Sequence, residues 1–116
     1  MDVFREKGYD VSAIFANIGG LKAGSSVEIA GVAVGHVKSV VLEDYQARIV
    51  MNVVDSVKIQ EDAIASIKTK GLIGEKYIEI SPGGSEKYVP PGGRIRETLP
   101  AVDIEKLISN YVFGKI

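Results

Sequence analysis

The chain has 116 residues, enough for one domain with its own hydrophobic core, and its 14 basic and 15 acidic residues leave a net charge of −1. That balance argues against nucleic-acid binding through a broad basic face. The absence of cysteine excludes disulfides, thiolate metal sites and cysteine nucleophiles, and no apolar run approaches the ~20 residues that a bilayer-spanning helix needs.

Valine and isoleucine together number 29 against 5 leucines, and 13 glycines punctuate the chain. Branching at Cβ restricts rotamers in helices and packs well on pleated sheets, so the composition points to a mostly β domain with tight turns. Residues 1–8 read as a short tail. YDVSAIF (9–15) alternates, with Tyr9, Val11, Ala13 and Phe15 sharing one face, as a half-buried strand does. NIGGLKAGS (17–25) is a turn-rich loop. SVEIAGVAVGHVKSVVLED (26–44) reads as two strands joined near Gly31, with Gly35 permitting a bend or bulge. A turn at Glu43-Asp44 leads into YQARIVMNVV (45–54), whose Ala47, Ile49, Met51 and Val53 form another apolar face.

DSVKIQED (55–62) is a polar connection, and AIASIKTK (63–70) a shorter strand. KGLIGEKY (70–77) then sets two large aliphatic residues, Leu72 and Ile73, between two glycines. Glycine marks chain that must turn, and turns usually face water. The pair either folds back into the domain's own core or is displayed to something apolar outside it. KYIEIS (76–81) is a strand with Ile78 and Ile80 on one face, PGGSEKYVPPGGR (82–94) reads as a long hairpin loop, and RIRET (94–98) as a last short strand. Strands this short and closely spaced suggest a small closed barrel over residues 9–99.

Beyond Pro100 the pattern changes. In AVDIEKLISNYVFGKI, Ile104, Leu107, Ile108, Tyr111 and Val112 recur at helical spacing, Asp103 can cap the start and Gly114 can end the run. The pattern predicts a short amphipathic helix within 100–116. A helix of about ten residues is unstable alone in water, so its stripe packs either on its own barrel or on other copies of itself.

No catalytic constellation is visible. The chain lacks G-x-S-x-G, a Walker loop and G-x-G-x-x-G, and its PGG repeats do not lead from a strand into a helix. His36 is the only histidine and sits in a valine-rich strand, which removes a paired-histidine metal site. Glu43-Asp44 and Glu61-Asp62 lack the ligand spacing of a calcium loop. The expectation is a protein that binds or conducts, with no catalytic residue, metal or cofactor.

NIGGLKAGSSVEIAGVAVGHVKSV (17–40) resembles the signature of the MCE (mammalian cell entry) domain family: an Asn, a Gly-Leu, a Gly, then V-x-x-x-G-V-x-V-G-x-V. KTKGLIGEKYIEI (68–80) resembles the family's second signature, Gly-Leu-Leu-Gly-Glu followed by a strand. The likeness runs from about Tyr9 to Thr98. A single such domain with a short terminal helix is most similar to the lipid-binding subunit of the bacterial Mla phospholipid ABC transport system. The resemblance implies an all-β, seven-stranded barrel with a short C-terminal α-helix, and a homo-oligomeric ring of six copies in the periplasm. It implies an inner-membrane anchor helix ahead of the domain, which residues 1–8 do not contain, so the anchor is expected to precede Met1. The partners it implies are phospholipid, the permease and ATPase subunits of an ABC transporter, and a periplasmic lipid carrier. Carried over by position, Gly71, Leu72, Ile73 and Gly74 are the pore loop, and Ile104, Leu107, Ile108 and Tyr111 are candidates to line an extension of the passage. The alternative is a structural barrel that scaffolds a membrane complex without touching lipid.

Overall fold

A computed structural model describes residues 7–102. The stripe at Ile104, Leu107, Ile108 and Tyr111 lies outside the described residues, as does the helix expected around it. Eight strands occur: β1 (Gly8–Phe15), β2 (Ser26–Ile29), β3 (Val32–Glu43), β4 (Gln46–Val54), β5 (Ile64–Thr69), β6 (Lys76–Ser81), β7 (Arg94–Ile95) and β8 (Glu97–Leu99). They form one sheet in the order β7-β1-β4-β3-β2-β6-β5-β8.

The two ends of that order are one piece of chain. β7 and β8 are separated only by Arg96, yet β7 pairs parallel with β1 and β8 pairs parallel with β5. The Thr98 hydroxyl donates to the Ile14 carbonyl at 2.8 Å, tying β8 back to β1. The segment therefore bridges both edges and brings the sheet to near closure, covering the edges of β1 and β5. Counted as a single strand, it makes the barrel seven-stranded.

The alternation read from sequence sets the interior. Val11, Ala13 and Phe15 of β1, Ile49, Met51 and Val53 of β4, and Ile78 and Ile80 of β6 are buried, with Val27, Val37, Ile67 and Ile95 completing the centre. Side chains fill the lumen, as in other small barrels. Two-residue turns join β2 to β3 and β3 to β4. Ala30-Gly31 and Asp44-Tyr45 all have positive φ, the type I′ geometry that matches strand twist, so the second turn lies one residue later than the expected Glu43-Asp44. Gly35 is required by close approach: a Cβ there would stand 2.1 Å from the Asn52 carbonyl oxygen. Register shifts fall on either side of it, one against β2 and one against β4, so β3 bends here.

Residues 82–93 are not a hairpin loop. β6 pairs with β2 and β5, so the connection crosses the end of the barrel to deliver β7 parallel to β1. Backbone bonds from Val89 to Ile59 and from Glu61 to Lys87 hold it against the β4–β5 connection. The many prolines and glycines mark a turning chain but do not say which strand it turns toward.

Candidate functional site

Strand directions place four segments at one end of the barrel: the 16–25 loop, the β3–β4 turn, the β5–β6 loop at 70–75, and the exit of the chain after β8. Three of them touch. The Ala101 amide donates to the Asn17 carbonyl at 3.0 Å, and a Cβ on Gly19 would lie 2.7 Å from Ala101 Cβ and 3.1 Å from Lys76 Cε. The chain thus leaves the described domain beside the base of the 70–75 loop.

That loop is braced. The Lys70 amide donates to the Glu75 carbonyl at 3.0 Å, closing its neck. Gly71 adopts φ +65, and a Cβ on Gly74 would stand 2.2 Å from the Lys70 carbonyl oxygen, so both glycines are needed for the turn. The Lys70 ammonium pairs with Glu28 and lies 4.4 Å from the centroid of the Tyr77 ring. Glu28, buried on β2, also accepts from the Ser26 hydroxyl at 3.3 Å. The hydrogen bond to Glu28 is the main reason the Lys70 pKa is raised. Beside it, Lys68 and Glu79 pair at 2.6 Å across β5 and β6.

On this footing Leu72 and Ile73 face outward, 69% and 92% exposed. They contribute nothing to the filling of their own barrel, which answers the question of whether they fold into that core. Other large apolar side chains are exposed at the same end: Leu42 and Tyr45 (76% and 95%) on the β3–β4 hairpin, and Leu99 and Val102 where the chain leaves. β3 runs well past the end of β2, so its outer half has β4 on one side only.

The sequence pattern singles out Gly71, Leu72, Ile73 and Gly74, and the structure places them together in this exposed loop. Sequence reasoning missed Glu28, whose role as the loop's counter-charge depends on β2 lying parallel to β6, and it missed the exposed hairpin. Among the described residues no group of three or more His, Cys, Asp or Glu side chains could hold a metal ion, and no helix is long and apolar enough to cross a membrane. His36 lies half-buried on β3 opposite Asn52.

Comparison with known proteins agrees with this architecture. The chain is 35% identical over 114 residues to the intermembrane phospholipid transport system binding protein MlaD of Haemophilus influenzae, covering 93% of this chain and 68% of that one. It is 34% identical over 117 residues to the protein of the same name from Escherichia coli K12, covering 94% of this chain and 64% of that one. The chain thus spans about two-thirds of the length of these relatives. A chain of the solved Acinetobacter MlaFEDB complex, in an ATP-bound Vtrans1 conformation, superposes with a TM-score of 0.84 at 25% identity, over 92% of this chain and 82% of that one. Residues 7–83 match the MlaD protein family, to which this chain belongs.

Proposed function

We propose that this chain is a non-enzymatic phospholipid-binding and lipid-conducting subunit of an ABC transport system that moves phospholipids between the inner and outer membranes. Six copies form a ring in the periplasm at the inner membrane. Permease and ATPase subunits supply the energy, and a periplasmic carrier exchanges lipid with the ring. The observation that carries this reading is the exposure of Leu72 and Ile73 on a braced, glycine-flanked loop.

Each such side chain left in water forgoes about 1.5–3 kcal/mol of burial. A cyclic assembly gathers every copy of the pair around one axis and turns that loss into an apolar annulus. A passage between copies is also what the interior demands, because Phe15, Ile49, Met51 and Ile78 fill the lumen and leave an acyl chain no route through a single barrel. Exposing a methylene to water costs about 0.8 kcal/mol, so a tail of about a dozen faces a barrier of ~10 kcal/mol in a wet passage. An apolar constriction removes most of that barrier without any reacting group. The names of the relatives, which specify intermembrane phospholipid transport, support the same reading.

The test replaces Leu72 and Ile73 together with Asn. Folding by circular dichroism and the particle mass by native mass spectrometry should be unchanged, and lipid transfer between vesicles by the reconstituted transporter should be lost. Normal transfer by the doubly substituted ring would overturn the proposal. A barrel that only scaffolds the complex would carry no phospholipid when purified without detergent and extracted.

A further inference from the structure

We propose that a groove on the outer wall of the barrel, lined by Arg48, Arg94 and Arg96, binds a phosphate group. The groove encloses about 490 Å³. It lies on the opposite side of the sheet from the core and does not depend on the ring reading. Alternation in Arg94-Ile95-Arg96 sends Ile95 into the core and both arginines outward into the groove. Register puts Arg94 beside Ser12 on β1, and Arg48 of β4 beside Ile14 of the same strand. Arginines therefore approach the outer face of β1 from both flanks, across two inter-strand spacings of about 4.8 Å each. Arginine side chains are long enough to converge over that gap.

Two glycines, Gly92 and Gly93, form part of the groove wall. Nothing lies within 4 Å of the position a Cβ would take on Gly92, which has φ +80, and Gly93 follows it. The remaining wall includes Tyr88 and two carboxylates, Glu43 and Glu61. Among the described residues none of the three guanidinium groups forms an ion pair, although those carboxylates share the groove. Three lysines, Lys38, Lys68 and Lys70, each hold a carboxylate. Three permanently charged guanidinium groups against two carboxylates leave the groove a local excess of positive charge, which an anion would balance. The planar fork of the guanidinium matches phosphate oxygens two at a time. The two glutamates limit the field of the groove, so it suits a single phosphate, alone or beside a cationic amine, rather than a polyanion.

The experiment titrates the isotope-labelled full chain by NMR at constant ionic strength, with inorganic phosphate and separately with glycerophosphoethanolamine, a headgroup without acyl chains. Chloride serves as the reference salt. Saturable amide shifts are expected at Gly92, Gly93 and Arg94, with affinity at least tenfold weaker in R94Q/R96Q and unchanged in K22Q, a substitution on the 17–25 loop. Tighter binding of glycerophosphoethanolamine identifies a lipid headgroup as the source, and tighter binding of inorganic phosphate identifies the free ion. Thermal melting separates a site from a structural cluster. R94Q/R96Q should melt no lower than the parent chain, and R48Q supplies a second variant if it does not fold. Shifts with neither probe, or shifts that persist in the folded arginine variants, would overturn the proposal.

Discussion

The two ends of this barrel solve the same problem, finishing a set of strands, in opposite ways. The end carrying the 55–63 and 82–93 connections is closed by polar side chains that bond to backbone. The Asp62 carboxylate accepts from the amides of Gly84 and Ser85 at 3.0 and 3.1 Å, Gln60 accepts from Gly83 at 3.4 Å, and the Tyr9 hydroxyl donates to the Val57 carbonyl. At the other end the 70–75 loop is braced at its base, where Lys70 pairs with Glu28, and Leu42, Leu72, Ile73 and Leu99 are left exposed. An end that satisfies its backbone internally serves stability. An end that leaves aliphatic side chains in water has given up burial energy, which is the condition for an interaction site.

The largest effect should come from breaking the closed end. A Cβ on Gly83 would stand 1.9 Å from Asp62 Oδ1 and 2.8 Å from the Asp62 carbonyl carbon, so Gly83→Ala must dislodge the connection that delivers β7. A loss of about 2–4 kcal/mol is expected from a shift in the urea midpoint. By contrast, the Leu72→Asn/Ile73→Asn protein should unfold within about 0.5 kcal/mol of the parent chain, since neither side chain is in the core. An equal loss at both ends would erase the distinction.

Gly74→Ala should have an intermediate effect. The Cβ would meet the Lys70 carbonyl at 2.2 Å and open the neck of the loop. About 1 kcal/mol of stability and faster proteolysis at 70–75 are expected, with the β-sheet circular dichroism unchanged. The smallest effect is a pH dependence on the wall between the ends. Hydrogen bonds from Lys38, at 2.8 Å, and from Asn52, at 3.0 Å, lower the Asp10 pKa. The stability this carboxylate contributes is fully present above the ordinary carboxylate range, near pH 4, and is lost as pH falls through its lowered folded value. Asp10→Asn should therefore flatten the acid limb of the melting-temperature profile below about pH 4 and leave the profile near neutrality with the same slope. An unchanged acid limb would assign it to other carboxylates.

Much of this was legible beforehand. Period-2 alternation located β1, β4 and β6 and named their inward residues, because a strand with one buried face must repeat every two residues. The glycine pair marked the 70–75 loop, because a Gly71 at positive φ and a Gly74 without room for a side chain leave few other choices. The 82–93 connection was misread as a hairpin because its Pro and Gly content reports only that the chain turns. The partner of Lys70 was missed because Glu28 lies 42 positions away in sequence.

From sequence alone came the all-β class, the strand faces, the family likeness and the loop residues, all set by local sterics and by the need of each strand to bury one side. Tertiary structure decided that Arg94–Leu99 bridges both edges of the sheet, that Glu28 braces the loop and that Leu72 and Ile73 stand clear of their own core. These depend on parallel pairings between segments distant in the chain, and such pairings follow from how the whole sheet closes, which no short window of residues encodes.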